Sequence, residues 1–166
     1  ERLSRKLNTF DCSYVFDKYL QTIRESLPER PLFLVDDSDI VKPCSFKMEG
    51  LGLVADGSDG HQLKKGYLLN EIIAVSKKGQ PISVSSVLYS PKEKEFLSAN
   101  TITENAILST IKKVSDEGTF VFDRGFDDVK LHAFLLKHKQ NYIIRTKTNR
   151  NVIVNGNELN VVEAAK

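Results

Sequence analysis

Two short apolar runs, each followed by aspartate, constrain the fold of this chain more than any other feature. The first run, Leu32–Val35, precedes the acidic stretch Asp36–Asp39, and the second, Thr119–Phe122, precedes Asp123 directly. Four consecutive apolar residues predict a strand that is buried on both faces. Carboxylates that follow such a strand belong at its end, because a buried charge is costly unless it is paired or holds a cation. The sequence therefore predicts two strand ends that meet around one metal site.

The rest of the pattern predicts a mixed sheet flanked by helices. In chain order, the predicted elements are a helix over Ser13–Leu27, the Leu32 strand, a glycine-rich loop over Ile40–Gln62, strands at Gly66–Val75 and Pro81–Tyr89, a helix from Thr101, the Asp123 strand, a helix capped by Asp127 or Asp128, a strand at Asn141–Arg145, and a hairpin at Asn155–Gly156 that joins Val152–Val154 to Leu159–Val162. Later strands that alternate with helices should be parallel, so that the Asp37 and Asp123 strand ends lie side by side. This order is that of the α/β ribonuclease H-like fold.

Length and composition fit one domain with a substantial core. The chain has 166 residues, of which 40% are hydrophobic. We divide it into an N-terminal helix and linker (1–30, with a polar loop at its start), a core (31–150), and a C-terminal hairpin segment (151–166). It has no apolar run of membrane-spanning length and no secretory signal, and its two cysteines match no metal spacing. A cytoplasmic protein with reduced thiols is expected.

The distribution of charge favours a polyanionic partner. The formal net charge is only +2, but no acidic residue occurs between Lys130 and Asn157. The basic residues of this part of the chain are Lys130, Lys137, Lys139, Arg145, Lys147 and Arg150. A basic surface beside an acidic metal pocket suits nucleic acid.

Four short segments, taken in order and spacing, resemble one family. They are Val35–Pro43, Gly50–Gly52 with Asp56–Ser58, Lys65–Tyr67, and Phe122–Asp127. These segments are similar to those of the DDE transposases of the IS4-type insertion-sequence group, and the likeness covers about Phe33–Arg150. The resemblance implies metal-dependent DNA cleavage and strand transfer in DNA transposition, in the cytoplasm of a prokaryote and on its nucleoid. The implied partners are double-stranded transposon ends and target DNA, with a homodimer as one expected state of the complete protein.

The resemblance also implies site residues. Asp37 and Asp123 match the family's two catalytic aspartates, which bind Mg²⁺ or Mn²⁺, with two ions in the complete protein. Asp36, on the opposite face of the strand from Asp37, is expected to support the site, and Asp39 to be a turn residue. The residues expected to hold DNA phosphates are Arg124, Arg145, Lys147 and Arg150.

The third carboxylate of the family has no match in this sequence. The family's glutamate lies on a later helix, whereas Glu158 and Glu163 lie in or beside the predicted hairpin. At this point the resemblance implies the start of a strand-rich insertion (151–166), with the last helix and the glutamate of the core missing. We therefore expect an internal piece of a larger protein that is inactive alone, and a truncated remnant is the other interpretation. Glu71 is expected to be a half-exposed strand residue.

Two other functions fit parts of the pattern. Asp37-Ser38-Asp39 after an apolar strand also fits a phosphatase of the haloacid dehalogenase type, although two strands lie where its crossover helix should be. A DNA-binding module with a decayed catalytic site is the non-enzymatic alternative.

Overall fold

The computed structural model of the chain describes residues 12–45, 47–57 and 59–166. The helices are α1 (Cys12–Ile23), α2 (Ala99–Lys113), α3 (Val129–Lys137) and α4 (Val161–Ala164). The strands are β1 (Leu32–Val41), β2 (Gly52–Asp56), β3 (Gln62–Val75), β4 (Pro81–Tyr89), β5 (Thr119–Phe122), β6 (Asn141–Ile144), β7 (Asn151–Val154) and β8 (Asn157–Asn160). Single 3-10 turns follow α1 and β5, at Arg24–Ser26 and Arg124–Phe126. The loop predicted for residues 1–10 lies outside the described residues.

Within the described chain, six strands form one mixed sheet. Strand β1 pairs antiparallel with β3 and parallel with β5, and β5 pairs parallel with β6. Strands β2 and β4 both pair antiparallel with β3, so the order is β2-β3-β1-β5-β6 with β4 also on β3. Antiparallel strands followed by parallel strands that alternate with helices are the order predicted for the ribonuclease H-like fold, and that prediction is confirmed.

The three longer helices pack on one face of this sheet. Phe33 of β1 pairs in register with Phe120 of β5, and their ring centroids are 5.0 Å apart. Both side chains are fully buried, in one cluster with Leu20 of α1, Ile107 of α2 and Leu135 of α3. Each such side chain contributes about 1.5–3 kcal/mol by its removal from water. The core therefore lies between this face and the helices.

The prediction that β1 is buried on both faces is wrong. Leu32 and Leu34 alternate with Phe33 and Val35 along the strand, and they are 45% and 42% exposed. The physical reason is that α1, α2 and α3 all contribute to the cluster on the Phe33 side. The described part of the chain leaves the Leu34 side of the sheet open.

The prediction of a loop over Ile40–Gln62 is also wrong in part. Strand β1 continues to Val41, β3 begins at Gln62, and β2 lies between them. At Gly66, β3 pairs with Val41 on one side and Gly52 on the other. A Cβ atom at Gly66 would lie 2.4 Å from the carbonyl oxygen of Ile40, so only glycine permits this approach. Glycine in this segment therefore permits the close pairing of three strands, β1, β3 and β2, in addition to forming turns.

The starts of the two helices nearest the site are fixed by side-chain caps. The Ser98 hydroxyl accepts a hydrogen bond from the Thr101 N–H at 3.1 Å, so the cap of α2 lies three residues before the cap predicted at Thr101. Of the two aspartates considered for α3, Asp128 is the cap, and its carboxylate accepts from the Lys130 N–H at 2.7 Å. Both helices therefore start near the end of β5.

The C-terminal hairpin forms a separate two-stranded sheet, as predicted. Its turn residues Asn155 and Gly156 have φ of 51° and 81°, the left-handed pair that favours Asn-Gly in a tight hairpin. Val161 and Val162, predicted to continue the second strand, instead begin α4, and the Asn160 side chain caps this helix. The assignment of residues 151–166 to an insertion stays a prediction.

Candidate metal centre

The carboxyl ends of β1 and β5 lie beside each other at one edge of the sheet. The parallel register pairs Val35 with Phe122, so the aspartates that follow each strand are neighbours. A pocket of about 360 Å³ opens there. Its charged lining residues are Asp36, Asp37, Asp123, Asp127, Asp128 and Lys147. The structure thus brings together both aspartates predicted as metal ligands.

Asp37 lies on the helix-covered side of β1. The Asn70 side-chain amide donates to its carboxylate at 2.7 Å and also to the Thr103 hydroxyl of α2 at 3.1 Å. Burial raises the pKa of the Asp37 carboxyl; the Asn70 hydrogen bond opposes this shift, and the charges of Asp36, Asp123 and Asp39 add to it. Asp37 is therefore a half-buried carboxylate held by Asn70 of β3, and Asn70 is in turn bonded to Thr103 of α2.

Asp123 is exposed at the end of β5. Its carboxylate accepts a hydrogen bond from the Gly125 N–H at 2.7 Å, which closes the 3-10 turn that follows. One carboxylate oxygen is the acceptor in this bond, and a carboxylate can also accept at its other oxygen. The turn thus fixes the position of Asp123 while the carboxylate remains open to the pocket.

Asp127 is the site residue that sequence reasoning missed. Only 3% of it is exposed, and its carboxylate accepts from the Lys147 N–H at 2.7 Å and from Arg150 Nε at 3.1 Å. Its backbone carbonyl accepts from Arg150 Nη2 at 2.7 Å, and His132 Nε2 lies 3.4 Å from the carboxylate. Burial alone would raise the pKa of Asp127, but the bonds from Lys147, Arg150 and His132 hold it below its usual value.

This contact joins the loop after β5 to the segment between β6 and β7. The sequence signal is weak, because Asp127 and Asp128 are adjacent acidic residues and both suit a helix cap. Only the cap at Asp128 satisfies the local pattern, and the partners of Asp127 lie 20 and 23 residues further along the chain. The sequence therefore offers one signal for Asp127: it is an acidic residue next to a helix cap that Asp128 already provides.

The residues predicted to hold DNA phosphates lie at the same edge of the sheet. Arg124 is exposed and directly follows Asp123, and Arg145 is exposed at the end of β6. Lys147 lines the pocket, and its ammonium lies 3.3 Å from the Asp127 carbonyl oxygen. Arg150 is engaged by Asp127, with 35% of its side chain exposed. The structure therefore places Lys147 and Arg150 in contact with Asp127 of the pocket lining, and it leaves Arg124 and Arg145 exposed near the ends of β5 and β6.

Asp39 lies apart from this pocket. It is exposed and lines a second recess with Asp37 and Asp56, away from Asp123. Nearby, burial raises the pKa of the Tyr89 phenol to about 12, and the carboxylates of Asp37 and Asp39 add to that shift. Tyr89 therefore stays neutral beside them at physiological pH.

The donor set fits a hard divalent cation. In residues 12–45, 47–57 and 59–166, no three acidic, histidine or cysteine side chains converge closely enough to hold a metal ion by themselves. Mg²⁺, however, is usually held by one or two carboxylates, with water and substrate phosphate completing its shell. Two aspartates at neighbouring strand ends match that requirement.

Comparison with known proteins then decides the family. A family model described as a transposase DDE domain matches residues 27–163, which is most of the chain. The chain belongs to the DDE transposase family. This match includes both aspartate-bearing strands and the four basic residues, and it gives no support to the phosphatase or to the decayed DNA-binding module.

The chain is similar to a piggyBac transposase, solved by cryo-electron microscopy as a synaptic complex with hairpin DNA, at 14% sequence identity and a TM-score of 0.48. That match covers 90% of this DDE transposase chain and 30% of the piggyBac chain. No curated protein matches the chain. Across the described residues, no helix has the length and apolar character needed to cross a membrane.

Proposed function

We propose that this chain supplies part of the catalytic core of a DNA transposase, which cleaves double-stranded DNA at transposon ends and transfers the strand to target DNA. The observation that carries the proposal is that the aspartates at the ends of β1 and β5 line one pocket together with Lys147, in a chain of the DDE family. The protein would act in the cytoplasm on nucleoid DNA, with a homodimer as one state of the complete protein.

Asp123 and an aspartate of β1 would hold Mg²⁺ or Mn²⁺, and the sequence predicts Asp37 for the second position. A bound ion of this kind lowers the pKa of attacking water and stabilises charge on oxygens of the phosphate. These aspartates would bind the cation in the pocket that they line. The complete protein would hold two ions.

The basic residues would hold the phosphate backbone. Arg124 and Arg145 are exposed just after β5 and β6, while Lys147 and Arg150 are positioned by Asp127. Contacts with phosphate set the orientation of the duplex and carry no sequence information of their own. Binding by this surface should therefore be mainly electrostatic and depend strongly on salt.

Replacing Arg145 and Lys147 together by alanine should weaken DNA binding and flatten its salt dependence. If both side chains contact phosphate, the log–log slope should fall by about 2 units, because each contact releases nearly one counterion. Binding titrations at several salt concentrations measure this slope. The matched control is Lys112→Ala with Lys137→Ala, which removes the same charge in the last turns of α2 and α3, away from the pocket. Equal slopes for the two double variants would contradict the assignment.

The 166-residue chain should by itself bind divalent metal weakly and should not cleave DNA at a useful rate. The described residues present two strand-end aspartates and no third converging carboxylate, whereas a two-ion site needs more ligands. Nicking of end-containing DNA with Mg²⁺ or Mn²⁺, by this chain and by a longer chain that includes the next helix, measures the difference. Robust metal-dependent cleavage by residues 1–166 alone would show that this view of the site is wrong.

A further inference from the structure

We propose that Asp127 is a positioning residue of the transposase, which holds Lys147 at the pocket so that the Lys147 ammonium binds a phosphate of the DNA. In this arrangement Arg150 is a partner of Asp127 rather than a phosphate contact. We call Asp127, Lys147 and Arg150 the Asp127 cluster. The inference rests on the proposed function, since it takes the DNA backbone as the ligand of Lys147.

Asp127 is fixed by the structure on both sides of it in the chain. Its N–H donates to the Arg124 carbonyl oxygen at 3.3 Å, which ends the 3-10 turn that begins after Asp123. The next residue, Asp128, caps α3. Asp127 is also buried, and a buried carboxylate is stable only with partners that compensate its charge. It is therefore a fixed anchor for residues from elsewhere in the chain.

Asp127 holds Lys147 at both ends. The Lys147 N–H donates to the Asp127 carboxylate at 2.7 Å, and the Lys147 ammonium lies 3.3 Å from the Asp127 carbonyl oxygen. A lysine side chain is otherwise flexible and loses rotamer freedom when it binds a ligand. These two bonds place Lys147 in the lining of a pocket that Asp123 also lines. Because the carbonyl is neutral, it leaves the charge of the ammonium available to a phosphate.

The charge of Arg150 is compensated by Asp127. Arg150 Nε donates to the carboxylate at 3.1 Å, and Nη2 donates to the Asp127 carbonyl oxygen at 2.7 Å. The attraction of a protein for DNA depends on cationic charges that neutralise phosphates. A guanidinium paired with a buried carboxylate adds little net charge, and separating the pair would leave that carboxylate uncompensated. Arg150 is therefore better suited to fixing Asp127 than to binding phosphate.

The same cluster connects the C-terminal hairpin to the main sheet. The Val161 N–H, at the start of α4, donates to the Arg150 carbonyl oxygen at 2.9 Å, and the Asn160 side chain donates to the same oxygen at 3.3 Å. Strands β7 and β8 form a sheet of their own, so these bonds lead from the hairpin through Arg150 to Asp127. Loss of the cluster should therefore release residues 147–166 together and leave the main sheet folded.

The first test measures DNA binding of the full 166-residue chain at several salt concentrations, with a short duplex as the probe. The variants are Asp127→Asn, which removes a negative charge, and Arg150→Lys, which keeps the positive charge but lacks the planar fork of arginine. Each should weaken binding and lower the log–log salt slope by up to about 0.9 units, the contribution of one phosphate contact. In a chain that already carries Lys147→Ala, neither change should have a further effect. Circular dichroism checks that each variant is folded at the temperature used.

Charge alone predicts the opposite result. Without the Asp127 carboxylate, Arg150 would be free to attract phosphate, so Asp127→Asn would bind DNA more tightly and Arg150→Lys would change little. The control is Asp128→Asn, which removes the same charge from the same pocket and keeps the helix cap, so its binding should stay equal or become tighter. Unchanged or tighter binding by Asp127→Asn or by Arg150→Lys would overturn the inference, as would a further loss in the Lys147→Ala background. DNA binding by the unsubstituted chain would in those cases still support the proposed function.

The second test uses no DNA. Trypsin cleaves after lysine and arginine, so under native conditions it reports opening of the chain after Lys147 and Arg150. In Asp127→Asn, cleavage at these two positions should be about 5–30-fold faster than in Asp128→Asn, because the segment opens locally. Cleavage after Lys112 of α2, which packs on the main sheet, should not change.

Equal cleavage of Asp127→Asn and Asp128→Asn after Lys147 and Arg150 would overturn the inference. If the unsubstituted chain binds no DNA even at low salt, the proposed function loses its support and the phosphate role of Lys147 fails with it. Proteolysis then still decides whether Asp127 holds residues 147–166 in place, so the two failures are distinguishable.

Discussion

In the complete protein, Asp123→Asn is expected to lower DNA strand cleavage and strand transfer by at least about 10³-fold. A metal ion supplies several kcal/mol of charge stabilisation, and about 4 kcal/mol corresponds to that factor in rate. The substitution keeps the side-chain shape, and the amide oxygen can still accept from the Gly125 N–H, so the turn after β5 should persist. The measurement is cleavage and joining of end-containing DNA with Mg²⁺, together with a thermal unfolding scan of the variant.

Asp116→Asn is the matched control for this experiment. Asp116 is exposed just before β5, at the opposite end of the strand from Asp123, and the same chemical change there should leave activity intact. Full activity in Asp123→Asn would refute the assignment of this residue. So would an equal loss in Asp116→Asn, because that result would point to a general effect of charge.

Asp39→Asn separates the transposase from the phosphatase alternative. In a phosphatase, Asp37 would be the covalent nucleophile and Asp39 the acid/base, so neither could be lost. In the transposase, Asp39 lines a different recess from Asp123, and its replacement should leave a measurable fraction of strand transfer. A folded Asp39→Asn protein as inactive as Asp123→Asn would revive the phosphatase mechanism.

The long-range order of the fold followed from local patterns. Apolar strands with clear ends, such as Pro81–Tyr89, have the predicted bounds, because a proline and a turn glycine mark the hairpin before it. Strand β2 was missed, because five residues among glycines give no strand pattern. Its pairing depends on Gly66, where β3 meets two strands at once. Such a contact between distant segments leaves no periodic signal in either one.

The sequence predicted where the candidate site lies in the fold, but it predicted only part of the arrangement of its side chains. The sequence placed Asp37 and Asp123 at adjacent strand ends, and the structure brings both to one pocket. It gave no sign that Asn70 donates a hydrogen bond to Asp37, because Asn70 lies 33 residues further along the chain. Four apolar residues in a row look the same whether one face or both are covered, which is why Leu34 was predicted to be buried.

The second large effect is expected at Asp127, where replacement by asparagine should destabilise the chain by about 2–3 kcal/mol. Breaking a buried ion pair costs about 3–5 kcal/mol, and we reduce this value because the Arg150 side chain is 35% exposed and can reach water. For a chain of this size the loss corresponds to a fall in Tm of roughly 5–10 °C. Thermal or denaturant unfolding of the purified chain at neutral pH measures it.

Asp128→Asn is the control, because asparagine caps a helix about as well as aspartate, and its stability should change little. The pH dependence then tests the electrostatic cause. The pKa of Asp127 is lower in the folded chain than in the unfolded chain, so its contribution is present above the unfolded value, about 3.9, and is lost as pH falls through the folded value. The difference between Asp127→Asn and the unsubstituted chain should therefore shrink on acidification below about pH 4. A difference that stays constant down to the lowest measurable pH would show that shape, rather than the charge of Asp127, holds the segment between β6 and β7 against the end of β5.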